Sequence, residues 1–119
     1  MKRLILFFLL FLCCITINAQ NDYYMQQAES YQRDAEYYTK KAEGYDREMA
    51  YYNRMAQGYM REAEYYSKRD RYDQVRTYQR RAKDATDRAA SYKKWADDAR
   101  DRARSYMRRA EDALQKAKK

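Results

Sequence analysis

The 119-residue chain has no histidine, no proline, two glycines and two cysteines. Both cysteines, Cys13 and Cys14, sit in an apolar run near the start, so no thiol occurs from Gln20 onward. Without imidazole or thiol, the commonest general base, the Cys–His and Ser–His nucleophile pairs and the soft metal sites are all missing. No enzyme, cofactor or metal site is expected. Aliphatic residues are nearly gone as well: Val75 and Leu114 are the only Val, Ile or Leu after Gln20. A conventional globular core cannot be assembled from that stock.

What is present begins with Lys2 and Arg3, an apolar run from Leu4 to Ile17, and then Asn18-Ala19-Gln20. Positive, apolar, then small is the order of a secretory signal, with cleavage expected after Ala19. The run of 14 residues is shorter than the roughly 20 that a membrane-spanning helix needs. No transmembrane span is therefore expected after cleavage; an uncleaved anchor is the alternative. A lipoprotein would keep Cys13 or Cys14 as its new terminus, but Leu12 and Cys13 precede them where such signals prefer a small residue. The expected location is periplasmic or extracellular, in a bacterium, reached without disulfides.

Removing Lys2 and Arg3 from the 26 basic side chains leaves 24 against 18 acidic ones, a net +6. Residues 20–69 carry 8 basic and 9 acidic groups, and residues 70–119 carry 16 and 9. The second half is the basic one.

The organising feature is a period. Tyr24, Tyr31, Tyr38, Tyr45, Tyr52, Tyr59 and Tyr66 follow one another at seven-residue steps, as do Ala28, Ala35, Ala42, Met49, Ala56 and Ala63. Alternating steps of three and four are the a/d seam of a coiled coil, alanine at a and tyrosine at d. The pattern resumes with Val75, Ala82, Ala89, Ala96, Ala103, Ala110 and Ala117 in one row and Tyr78, Ala85, Tyr92, Ala99, Tyr106 and Ala113 in the other. Glu–Lys or Glu–Arg pairs four apart, such as Glu29–Arg33, Glu36–Lys40, Glu43–Arg47 and Glu64–Lys68, add support for helix.

The two blocks are out of phase. Ala56 to Ala82 is 26 residues, two short of four heptads. On one unbroken helix the seam would jump roughly 140°, which the insertions that coiled coils absorb do not match. A turn is the simpler reading. We therefore expect an all-α fold: a signal peptide over residues 1–19, then a domain over 20–119 with helix 22–67, turn 68–72 and helix 73–118 forming an antiparallel coiled-coil hairpin. One continuous long helix is the alternative. Folding the blocks back pairs residues whose numbers sum to 141, which sets tyrosine against alanine in most layers, as in Tyr59 with Ala82. Ala28–Ala113, Ala42–Ala99 and Ala56–Ala85 remain thin, and Met49 meets Tyr92. Asp70 with Asp73, or Ser67 with Asp70, offers a capping box for the second helix.

Around the turn, Ala63, Tyr66, Tyr72, Val75 and Ala82 fall at spacings that faintly resemble the turn of a tetratricopeptide repeat. The likeness covers about 20 residues, and the flanking heptads depart from that family's period of about 34. It implies a helix–turn–helix and no function.

Three surface features remain. Tyr23, Tyr37, Tyr51 and Tyr65 stand 14 apart in one row, with Ser30, Gly44 and Gly58 between them. Because glycine costs an exposed helix about 1 kcal/mol relative to alanine, this row is a candidate helix interface, for self-association or another helical protein. Arg81, Arg88, Arg102, Arg109 and Lys116 share a row that Trp95 interrupts, beside the seam. As a candidate anion-binding stripe it would take acidic glycan or lipid headgroups, export setting nucleic acid aside. The bland reading has the arginine stems covering the seam and pairing with acids of the other helix, Asp34 with Arg109 and Glu62 with Arg81. Asp97 and Asp101 lie four apart but stand among Arg100, Arg102 and Arg104; Ca²⁺ wants six to eight oxygens from a folded loop.

The expected function is that of an exported, non-enzymatic structural or adaptor protein acting through helix–helix contacts, or else a polyanion or envelope-surface binder using the basic second helix. Labels on cysteines placed at Tyr24 and Ala117 test the architecture. A hairpin brings them within a distance on the order of 10 Å, whereas a rod separates them by roughly 140 Å.

Overall fold

The structure, a computed structural model, describes the backbone of residues 2–118 and the side chains of residues 20–118. The signal peptide expected over residues 1–19 lies outside the residues described in full. Among the described residues all regular structure is helical, and two long helices pack against each other: α1, Lys2–Ser67, and α2, Tyr72–Lys118. The chain is not one unbroken helix. Residues 68–71 separate the two, in the stretch where the alanine and tyrosine rows lose phase. No helix of the described residues is long and apolar enough to cross a membrane.

The helices contribute to two compact units, one made by the chain up to Tyr37 with the chain from Arg102, the other by Tyr38–Asp101. In the Tyr38–Asp101 unit, the ring of Tyr92 lies 6.1 Å from Tyr45 and 5.6 Å from Tyr52. Tyr78 likewise lies 6.1 Å from Tyr59 and 5.6 Å from Tyr66. Numbers rise on one helix as they fall on the other, so the helices run antiparallel. Tyr92 sits between Tyr45 and Tyr52, the level of Met49, and Tyr78 between Tyr59 and Tyr66, the level of Ala63. Those levels are the ones whose numbers sum to 141. In the other unit, Tyr31 and Tyr106 approach to 6.2 Å, and Ala28, Ala35, Ala103, Ala110 and Ala113 are buried.

Among the described residues the buried hydrophobic ones are thirteen alanines, and no polar side chain is buried with them. Each tyrosine of the row from Tyr24 to Tyr66 is half-buried. An alanine methyl removed from water is worth about 0.8 kcal/mol. A tyrosine burying half of its 150–250 Å² is worth roughly 2 kcal/mol. The alanines set how close the helices come, and the tyrosines supply most of the apolar area.

The turn works differently from the expected capping box. Helix α2 opens with the Val75 amide bonding the Arg71 carbonyl, and no Ser or Asp side chain caps it. Asp70 instead ends α1, in the left-handed conformation at φ 59°. The Arg71 amide donates to the Tyr66 carbonyl and the Asp70 amide to the Ser67 carbonyl, at 3.1 and 3.2 Å. This paired closure is the Schellman motif, in which glycine usually holds the left-handed place. Asp70 also accepts a hydrogen bond from the Tyr72 hydroxyl, 3.1 Å long. At the start of α2 Asp73, and at its end Lys116 and Lys118, complement the helix dipole.

Left-handed backbone is strained for an L-residue with a Cβ. Asp70→Gly is therefore expected to raise the unfolding free energy by up to about 1 kcal/mol, and Asp70→Val to lower it by at least as much. Urea unfolding followed by circular dichroism measures both.

Candidate functional site

In the 14-residue tyrosine row, Tyr37, Tyr51 and Tyr65 lie two positions after Ala35, Met49 and Ala63 of the α1 seam. The row's members are exposed: Tyr23 60%, Tyr37 59%, Tyr51 50% and Tyr65 48%. Three of them pack edge-on against the half-buried tyrosine that follows. The Tyr23–Tyr24, Tyr51–Tyr52 and Tyr65–Tyr66 centroids lie 5.3, 5.2 and 5.1 Å apart. This adjacency pins the outer ring and leaves its other face in water. Tyr65 is further covered by the Arg69 guanidinium, 3.7 Å from its centroid.

Within the Tyr38–Asp101 unit the row runs Gly44, Tyr51, Gly58, Tyr65. Neither glycine is there to avoid a clash within the chain. A Cβ built on either meets nothing closer than an arginine tip at 3.9 Å, Arg47 over Gly44 and Arg61 over Gly58. Both have ordinary helical backbone. The fold of one chain thus gives no reason for glycine at either position.

Arg81 and Arg109 do not pair with the acids that the bland reading assigns them. Neither Asp34–Arg109 nor Glu62–Arg81 forms an ion pair. The cations lie over rings instead: Arg81 at 5.2 Å from Tyr78, Arg88 at 5.6 Å from Tyr52, Arg109 at 5.2 Å from Tyr106 and Lys116 at 5.9 Å from Tyr24. These are cation–π contacts, and they need only the tyrosine row that the seam already presents. Arg88 also donates to the Tyr52 hydroxyl, 3.4 Å away, which holds its pKa above the usual arginine value. Arg102 has partners of its own. Trp95, which interrupts the row, packs 5.9 Å from Tyr45 and 5.1 Å from Tyr92.

Arg81 and Arg88 flank one hollow of about 250 Å³, shared with Tyr52, Met55, Tyr59 and Asp84. Its floor is Ala85, a member of the thin layer Ala56–Ala85. On the opposite face of the same layer a wider hollow of about 570 Å³ opens beside Ala56, between Asn53, Met60 and Thr86. Two methyl groups do not fill the space that a tyrosine–alanine layer fills, so the deficit appears on both faces.

Asp46 and Arg100 form an ion pair across the helices of this unit, the carboxylate holding the guanidinium pKa above its usual value. Arg100 also reaches Asp97, at 3.3 Å, so Asp97 faces an arginine. No cluster of candidate metal ligands occurs among the described residues.

Gly44→Ala and Gly58→Ala are expected to raise the unfolding free energy of the monomer by about 1 kcal/mol each, measured by urea unfolding at low protein concentration. A loss of stability that appears only at concentrations where chains associate would mean that a neighbouring helix uses the gap.

No known protein family is matched by this chain. Neither a curated protein nor a solved structure is significantly similar to it.

Proposed function

We propose that this chain is an exported, non-enzymatic structural or adaptor protein whose two helices wind as an antiparallel coiled coil and act through helix–helix contacts. The observation that carries the reading is the alanine-only core beside an exposed row of tyrosines and glycines. A pair of helices with so thin a core gains little by standing alone. Its outer row presents rings at 48–60% exposure, spaced by glycines that the single chain does not need. A ridge-and-gap row of that kind suits the ridges of another helix. Export is supported by the order of residues 1–19, and a periplasmic or extracellular place follows from it.

A second reading has one observation in its favour. Arg81 and Arg88 border the same hollow, where an acidic glycan or lipid headgroup could be held between guanidinium groups. Asp84 in the same lining works against it.

Salt separates the two. Helix-driven assembly is expected to persist in sedimentation runs from about 0.05 to 0.5 M salt, because it rests on apolar contact. Retention on an anionic polymer should collapse over that range as screening shortens from above 10 Å to a few ångströms. A chain that stays monomeric, and whose binding to anionic polymers is strong and salt-sensitive, belongs to the second reading.

A further inference from the structure

Two pairs of tyrosines from opposite helices of the Tyr38–Asp101 unit lie with their rings nearly parallel. Tyr52 and Tyr92 have centroids 5.6 Å and planes 12° apart, and Tyr66 and Tyr78 repeat both figures. The two sites stand 14 residues apart on each helix, so the seam builds one arrangement twice. Parallel rings stack face to face no closer than about 3.5 Å. At 5.6 Å between centroids they are slid past each other, and edges rather than centres overlap. All four rings are half-buried, so water and a dissolved oxidant reach them. From Gln20 onward no thiol is there to be oxidised in place of a phenol. The exposed rings Tyr51 and Tyr65 meet Tyr52 and Tyr66 differently, edge to face at 76° and 85°.

We propose that these stacked pairs are modification sites, at which a one-electron oxidant such as a haem peroxidase with hydrogen peroxide joins the two helices. A carbon–carbon bond forms between Tyr52 and Tyr92, and another between Tyr66 and Tyr78. The oxidant takes one electron from each phenol, and the hydroxyl proton leaves to water. Each phenoxyl radical carries part of its unpaired spin on the ring carbons beside the oxygen. Two such carbons, one from each ring, pair their electrons as the new bond. Each then releases its hydrogen as a proton, and both oxygens are protonated again. Per link, two phenols lose two hydrogen atoms and one peroxide becomes two waters. Position decides which rings couple. A radical on Tyr52 or Tyr66 already lies against its partner, and a held pair reacts at an effective concentration that no second chain approaches. The closing movement falls on χ1 and χ2 of two half-exposed side chains, which turn between staggered positions. Coupling Tyr51 to Tyr52 would instead require successive residues, pointing about 100° apart on one helix, to turn edge to edge. The Tyr52–Tyr92 bond ties residues 40 positions apart, and constraint of the unfolded chain grows with the loop closed. It supplies what a disulfide would, in a stretch with no cysteine to form one.

The test treats the protein, as processed by cells expressing all 119 residues, with a haem peroxidase and hydrogen peroxide in dilute solution. Trypsin digestion and mass spectrometry then map the links. The expected products are peptide 48–54 joined to 89–93 and peptide 62–68 joined to 77–80. Each joined pair should lack two hydrogen atoms and come from a chain of monomer size, in a yield that dilution does not lower. Tyr52→Phe should remove the first product and Tyr66→Phe the second, because phenylalanine keeps the ring but has no hydroxyl hydrogen to lose. Tyr51→Phe and Tyr65→Phe, in the same peptides, should leave both products. Should a variant lose helix by circular dichroism, fragment ions of the wild-type joined peptides still assign the bonded tyrosine. Links found only between chains, or assigned by those ions to Tyr51 or Tyr65, would overturn the proposal. So would a digest that shows oxidised methionine and no joined peptides.

Discussion

Tyrosine rings laid against alanine methyls are the contact from which the rest of the structure follows. Alanine lets two helices approach closely but leaves no room for a ring between them. The rings therefore lie along the flanks of the contact, half covered. That placement explains why no large side chain is fully buried among the described residues and why a stretch with almost no Leu, Ile or Val after Gln20 still forms a defined pair. It also explains the ladder of paired rings, in which Tyr92 and Tyr78 each stack between two tyrosines of α1 at interplanar angles of 12° on one side. The rows would not interleave in this way if the helices slid by a few residues.

The same arrangement decides the fate of the basic row. Half-exposed rings offer their faces to any cation three residues further along the helix, so Arg81 settles over Tyr78 and Arg109 over Tyr106. The hollow between Arg81 and Arg88 stays open all the same, and a wider one opens on the other flank, bordered by Asn53, Met60, Arg61 and Thr86.

Much of this was legible in the residue order. The seven-residue rows carry the helical period, and their loss of phase between Ala56 and Ala82 falls on the break at residues 68–71. The thin Ala56–Ala85 layer marks where hollows form. Other parts could not be read. The turn contains no glycine, and nothing in Arg69-Asp70-Arg71 announces that an aspartate takes left-handed backbone; that depends on the two hydrogen bonds closing back to Tyr66 and Ser67. Matching opposite charges across the seam pointed Arg109 at Asp34. The rings lie nearer and need no stretching of a shorter carboxylate side chain, so the aromatic contact wins.

A core of methyl groups and half-wet phenols has a thermal consequence. The heat capacity of unfolding rises with apolar surface newly hydrated and falls with polar surface. Here the apolar share per residue is small and the newly wetted backbone share is ordinary, so the increment lies below the usual ~12–15 cal/mol/K per residue. A small increment flattens the curve of stability against temperature. Such a chain loses little of its folding free energy on cooling, so its two helices stay paired over a broad span of temperature.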